Sequence, residues 1–367
     1  AVTFTRPSLV WLRDQGTLVL ETHDVEVRTP TGEFLASAPL LRGQVGVWPL
    51  LLERRIELVE AQVDLPQIEL TREEGGKLVL SFAGQLASLG VGEATGGAGV
   101  GALLEDSSGG GDPRLAGLRS IRVTAPSLEF VDTRSEDRAT AADPVFDLRR
   151  VGNAWQASLS AKLGSGRVEA TSEAGARPGQ QQLKIELHGL QAKDFSAFAP
   201  NLPLAGLALP ISGTLQLTVD PATTQLGAAT VDLSAGPGTI EAPALQLAPV
   251  AIKSAELQGR FDANARQAQI DQLRLVADGY ALGVSGTVGD SAGELVADIK
   301  VAAQELDVAE ILALWPGAVA GDARAWIAAN VPFGKIGNAT LQIRDGNTHP
   351  DQPDLGAAFT FSGVQVR

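Results

Sequence analysis

Hydrophobic side chains recur at every second position in run after run of this chain: Leu78, Leu80, Phe82; Leu183, Ile185, Leu187; Leu215, Leu217, Val219; Leu273, Leu275; Leu295, Ala297, Ile299, Val301; Leu341, Ile343. A period of two belongs to a β-strand, whose successive side chains point to opposite faces. In Gln182-Leu183-Lys184-Ile185-Glu186-Leu187-His188 the intervening positions are polar, so one sheet face is apolar and the other meets water. Turn chemistry separates the runs at short intervals, as in Glu74-Gly75-Gly76, Asp220-Pro221, Gly236-Pro237-Gly238 and Gly289-Asp290. Hairpins and meanders follow, and the expected fold is mostly β: a long antiparallel twisted sheet with a few short helices.

Two parity slips interrupt the alternation. Ile56 and Leu58 give way to Val59, Ala61, Val63 and Leu65, and a second slip separates Leu20 from Val25. Both mark bulges or strong bends. Residues 84–112 carry Gly90, Gly92, Gly96, Gly97, Gly99, Gly101 and Gly109-Gly110-Gly111 without periodicity, and read as a flexible insertion. No Gly-Lys-Ser/Thr ending makes that segment a phosphate loop. The organisation expected is a β segment over 1–83, the insertion over 84–112, and a repeated β segment over 113–367.

Helical signals are few. One turn is expected from Trp48 to Arg54, about two from Lys193 to Ala199, and a clear apolar face from Val308, Ile311, Leu312 and Trp315. Asp322 is placed to cap a second helix bearing Ala323, Trp326 and Ile327, giving a helix hairpin over 305–331 around Pro316-Gly317. Both apolar faces are expected to pack on the sheet. The uncharged stretch within Phe195 to Val219 has the length of a membrane span, but Pro200, Pro203 and Pro210 with Asn201, Ser212 and Thr214 exclude a transmembrane helix.

A repeat joins these elements. Leu190 to Pro200 aligns without gaps on Leu306 to Pro316, an offset of 116 residues shared by Leu183-Lys184-Ile185 and Ile299-Lys300-Val301. Downstream, Thr214-Leu215-Gln216-Leu217 falls on Thr340-Leu341-Gln342-Ile343 at an offset of 126, leaving ten extra residues for the second helix. The unit is strand, short helix, proline and returning strand, and its repetition extends a sheet along one axis.

Composition narrows the function. A net charge of −14 repels nucleic acid and anionic headgroups at long range. Without cysteine there is no disulfide, thiolate chemistry or Cys-based zinc site. Aromatic residues supply 5% of a chain that is 44% hydrophobic, so its interior is aliphatic. Methionine is absent, so Ala1 is not a start codon product and the stretch reads as internal or processed.

His23, His188 and His349 lack local partners at metal or triad spacing, and Glu73-Glu74 and Glu105-Asp106 flank turns or the glycine-rich segment, where carboxylates are ordinary solvent charge. Asn338-Ala339-Thr340 fits a glycosylation sequon but is equally plain alternation. No catalytic, metal or cofactor site is expected, and the chain is read as a non-enzyme.

Leu314-Trp315-Pro316, then Ala323-Arg324-Ala325-Trp326-Ile327-Ala328-Ala329-Asn330-Val331 and Gly334-Lys335-Ile336, resemble the central domain of the YhdP-type branch of the AsmA-like family, relatives of the TamB-like and YdbH-like bridge-like lipid transfer proteins. The specific pattern covers about residues 300–345; Leu18-Val19-Leu20 and Ile56 to Leu70 resemble the family's paired strands in style. The resemblance implies a periplasmic protein of a diderm bacterium, tethered to the inner membrane by an anchor outside this chain. It also implies a β-sheet curled into an open, taco-like groove that shields phospholipid acyl chains between the two membranes.

On that reading Leu183, Ile185, Leu187, Leu215, Leu217, Leu273, Leu275, Ile299, Val301, Leu341 and Ile343 contact lipid, and Trp315, Trp326 and Ile327 form the groove rim or cap. Phospholipid and membrane are the expected partners, nucleic acid is not, and no cofactor is implied. Alternation alone favours a closed two-sheet core, and an inert scaffold or adhesion module is the competing function. Only the resemblance turns the expectation to an open groove.

Overall fold

A computed structural model describes residues 2–12, 17–28, 34–54, 57–72, 78–82, 117–134, 138–152, 154–174, 180–198, 206–220, 225–241, 248–291, 294–315, 321–345 and 354–366. The chain divides into two units, residues 1–185 with 219–225 and residues 186–218 with 226–367. Each is an open sheet with few helices, as the alternation and turns require.

The first unit holds β1 (Val2–Leu12), β2 (Thr17–Arg28), β3 (Phe34–Val45), helix α1 (Val47–Glu53), β4 (Leu58–Asp64), β5 (Ile68–Arg72), β6 (Leu78–Phe82), β7 (Ser120–Thr124), β8 (Ser127–Asp132), β9 (Arg138–Val151), β10 (Ala154–Leu163) and β11 (Gly166–Ala174). Strands β1 to β4 form an antiparallel meander, and β7, β9, β10 and β11 continue the pairing. The antiparallel expectation fails at two ladders: β4 runs parallel to β7, and β5 parallel to β8. Parallel neighbours need a long crossover. Here the crossover contains the glycine-rich residues 84–112, which lie outside the described residues. Strands on either side of that segment pair directly and belong to the first unit, and the two units divide at Ile185–Glu186.

Both parity slips are real. Val59 is bulged between the pairs Gln44–Glu60 and Val45–Leu58, and Asp24 adopts a left-handed conformation (φ 49°). Asp24 belongs to a crease that crosses the sheet. Arg6 (φ 47°) precedes Pro7 in β1, Pro39 stands opposite Asp24, Pro66 separates β4 from β5, Pro126 separates β7 from β8, and Asp143 (φ 49°) precedes Pro144 in β9. Hydrogen bonds cross the same level, from Leu65 N–H to Thr124 O (2.8 Å), Asp143 N–H to Pro126 O (3.1 Å) and Ala125 N–H to Pro144 O (3.3 Å). A proline cannot donate to a ladder, and aligning one on neighbouring strands lets the whole sheet bend along one line.

The core of the unit gathers at this crease: Val25, Ala38, Leu65, Ile68, Val123, Leu128, Phe130, Ala141, Pro144, Leu148 and Ala161 are buried. Beside Phe130 the carboxylate of Asp132 is fully inaccessible and accepts hydrogen bonds from Arg72 Nη1 (3.1 Å), Arg134 N (3.0 Å) and Arg134 Nη2 (3.3 Å). Bonding from the Arg134 side chain does most to hold this carboxyl below its ordinary pKa, against burial that pushes the other way. A depressed folded-state pKa contributes stability that is complete above the unfolded value and lost as pH falls through the folded one. Asp132→Asn should therefore lower the urea midpoint at pH 7, with the gap to the parent closing only below about pH 4; an unchanged midpoint at pH 7 would show that the buried arginine pairing stabilises nothing.

The second unit begins in β12 (Gln181–Gln191), passes a 3-10 helix (Ala192–Phe198), and continues through β13 (Leu207–Ala208), β14 (Pro210–Asp220), β15 (Gln225–Ala235), β16 (Gly238–Ile240), β17 (Val250–Asp262), β18 (Gln267–Ala277), β19 (Ala281–Ser291) and β20 (Glu294–Asp307). Helices α2 (Val308–Leu314) and α3 (Gly321–Asn330) precede β21 (Phe333–Asp345) and β22 (Asp354–Gln365). Antiparallel ladders run from β15 through β17, β18, β19, β20 and β21 to β22. Among its described residues the stretch from Phe195 to Val219 holds the end of the 3-10 helix, β13 and most of β14; no helix among the described residues is long and apolar enough to cross a membrane. Gly213 (φ 142°) and Gly286 (φ 149°) lie so close to the carbonyls of Asp232 and Asp298 that a Cβ at either would overlap backbone.

The 116-residue offset reappears in packing. Leu187, Leu190 and Ala192 are buried (5%, 1% and 1% exposed), and so are their counterparts Ala303, Leu306 and Val308 (8%, 8% and 6%). In both copies a strand runs into a short helix and pairs with the strand that returns, β12 with β14 and β20 with β21. The Glu310 side chain accepts a hydrogen bond from Asp307 N–H (2.8 Å) to fix the start of α2. Asp322, expected as the cap, is the second residue of α3, where its charge still favours the helix start.

Candidate functional site: a one-sided aliphatic sheet face

Cα partners in adjacent strands share a sheet face, so the registers place side chains directly. In the second unit one row runs Leu233, Leu257, Leu273, Val284, Val301, Leu341 and Ala357, one residue from each of seven consecutive strands. A second runs Val231, Gly259, Ile270, Gly286, Ile299 and Ile343, and a third Ala235, Ala255, Leu275, Leu282, Ala303 and Ala339. A bulge between Ile270 and Leu273 keeps β18 in phase across its parity change. On the reverse face the partners are polar: Asp232, Gln258 and Gln272; Glu256 and Arg274; Ser285, Lys300 and Gln342. Arg260–Asp271 (2.9 Å), Arg266–Asp290 (2.9 Å) and Arg344–Asp298 (3.4 Å) are solvent-facing ion pairs. Pairs this exposed keep the surface soluble and add little stability.

The aliphatic rows are not sealed. Leu233, Leu257, Leu273, Val284, Val301, Ile299 and Ile343 are half-buried, Leu341 is exposed, and Phe359 and Phe361 on β22 are 54% and 69% exposed. A side chain between two packed sheets would be buried outright, so the closed core that alternation alone favoured does not form here. Along the first row the six interstrand steps of about 4.8 Å give a path of roughly 29 Å. Its lining is Leu, Val and Ile, with no ionised side chain in the rows.

Of the residues expected to contact lipid, Leu273, Leu275, Ile299, Val301, Leu341 and Ile343 share this face. Leu215 and Leu217 lie on β14 and are half-buried, whereas Leu187 on β12 is buried and offers a ligand little surface. Leu183 and Ile185, half-buried, belong to the first unit. The sequence reading missed Leu233, Leu257, Leu282 and Val284. Leu282, Val284 and Val288 do alternate, but Gly283, Gly286 and Gly289 between and beside them break the visual pattern.

The helix hairpin departs from expectation. Helix α2 packs on β20 and β21, with Val308 buried and Ile311, Leu312 and Trp315 half-buried. Helix α3 has no buried residue: Ala323 is exposed, Trp326 is 56% exposed and Ile327 half-buried. It is tied to α2 by Arg324 Nη2, which donates to Leu312 O (3.0 Å). A stripe of one Ala, one Trp and one Ile in ten residues is too narrow to bury itself, which leaves Trp326 facing water.

His349, Glu73, Glu74, Glu105, Asp106 and Pro316 lie outside the described residues. No protein-family model, curated protein or solved structure matches the chain.

Proposed function

We propose that this chain is a non-enzymatic lipid-binding segment of a cell-envelope protein, whose aliphatic sheet face shields phospholipid acyl chains in transit. The observation that carries the reading is the row from Leu233 to Ala357: apolar across seven strands, half-open, and backed by a polar reverse face. Each methylene laid on such a surface gains up to about 0.8 kcal/mol, so the two acyl chains of a phospholipid can be held by summed burial without polar recognition. A periplasmic setting between two membranes, with tethering to the inner one, follows the resemblance to the AsmA-like family.

The test is mass spectrometry of lipid extracted from gently purified protein. Phospholipid at a substantial fraction of one per chain supports the reading; protein that is lipid-free after extraction from cells, and takes up none from vesicles, points to a scaffold or adhesion role.

Trp326 fits this function as a rim residue. Because its side chain is largely exposed, Trp326→Ala should shift stability by no more than about 0.5 kcal/mol while lowering lipid occupancy. A loss near the roughly 3–5 kcal/mol typical of a buried tryptophan, with lipid per folded molecule unchanged, would make it a plug.

A further inference from the structure

The face of the first unit opposite its own aliphatic rows carries a recess of about 690 Å³, lined among others by Arg42, Arg119, Arg122, Arg149 and Arg150. Registers explain the convergence of three of them, while Arg119 and Arg150, joined by Arg150 N–H to Arg119 O (2.8 Å), line the recess from the adjoining strand ends. Arg42, Gln62, Arg122 and Asp147 are successive partners across β3, β4, β7 and β9, and Gln44, Glu60, Ser120 and Arg149 form the next row. The aliphatic rows Leu20, Gly43, Ala61, Ile121, Leu148 and Leu41, Val63, Val123, Phe146 occupy the other side.

Charge in the recess is unbalanced. Arg122 is committed to Asp147 (Nε to Oδ1 2.8 Å, Nη2 to Oδ2 3.2 Å), and Arg42 to Glu21 (3.0 Å). Glu60 and Asp147 are the only carboxylates among the lining residues, and Arg119, Arg149 and Arg150 form no ion pair among the described residues. In a chain of net charge −14, three guanidinium groups without an ion pair among the described residues gather at one recess, a local excess of positive charge that favours an anion.

We propose that this recess binds a phosphate ester. The guanidinium fork matches phosphate oxygens bidentately, the volume suits one headgroup-sized or sugar-sized group, and the acidic remainder of the chain repels any long polyanion. The site is in the first unit, around polar rows and apart from the seven-strand aliphatic row, so it stands or falls independently of acyl-chain binding.

The experiment titrates the whole chain with inorganic phosphate and glycerol 3-phosphate by calorimetry, and measures flotation with phosphatidylglycerol against phosphatidylcholine vesicles. Arg119→Gln combined with Arg149→Gln is the test variant; both residues are exposed, so a melting curve like the parent's is expected. Arg260→Gln, an exposed arginine of the second unit, is the control. Saturable binding that weakens by about tenfold or more in the double variant and not in the control supports the site. Binding in the soluble arm identifies a free phosphate ester, and binding in the phosphatidylglycerol arm alone identifies a lipid headgroup. Absence of saturable binding in every arm, or an equal loss in variant and control, overturns the proposal.

Discussion

Phe130→Ala should cost the first unit about 3–5 kcal/mol, seen as a large fall in its urea midpoint. Phe130 is 1% exposed, registered between Leu70 of β5 and Ala139 of β9, with the Arg72 guanidinium 5.2 Å from its ring centre. Ladders on both sides hold the backbone, so the space left by the ring cannot collapse. Phe130 is the largest fully buried side chain among the described residues, which concentrates the effect there. A loss under about 1 kcal/mol would mean that the crease is not the stabilising core.

The second large effect concerns binding. Val284→Asp sets a carboxylate in the middle of the seven-residue row, between Leu273 and Val301. An acyl chain laid across it must desolvate the charge, and bound phospholipid should fall by about tenfold or more. Stability should change little, within about 1 kcal/mol, because Val284 is only half-buried. Lys300→Glu, on the reverse face, should leave lipid content unchanged. Equal losses in the two variants would show that the faces do not differ in function.

Much of this architecture was written locally in the chain. Alternation located β6, β12, β14, β18, β20 and β21 because a one-sided sheet leaves its period on the sequence. Parity slips at Val59 and between Leu20 and Val25 exposed the bulge and the crease because a displaced residue flips every side chain after it. The repeat survived as matched burial at Leu187 and Ala303, Leu190 and Leu306, Ala192 and Val308.

What escaped was non-local or masked by small residues. Nothing near Glu60 announces a parallel partner at Ser120, and that pairing is what puts Arg42 and Arg122 in one row, with Gln62 between them. Of the five recess arginines only Arg149 and Arg150 adjoin in sequence. Leu187 carries the same alternation as Leu183 and Ile185 but is buried where they are half-buried, because alternation marks a strand's face and not what covers it. In α3 an apolar stripe implies burial, but Ala323, Trp326 and Ile327 in ten residues make it too narrow to enforce that.

The most direct test of the central claim is photo-crosslinking in cells from single positions on the two faces of β18 and β20: Leu273 and Val301 on the aliphatic side, Arg274 and Lys300 on the reverse. Phospholipid adducts from Leu273 and Val301, and none from Arg274 and Lys300, are the predicted result. Adducts to protein alone from Leu273 and Val301, or lipid captured equally from both faces, would contradict it.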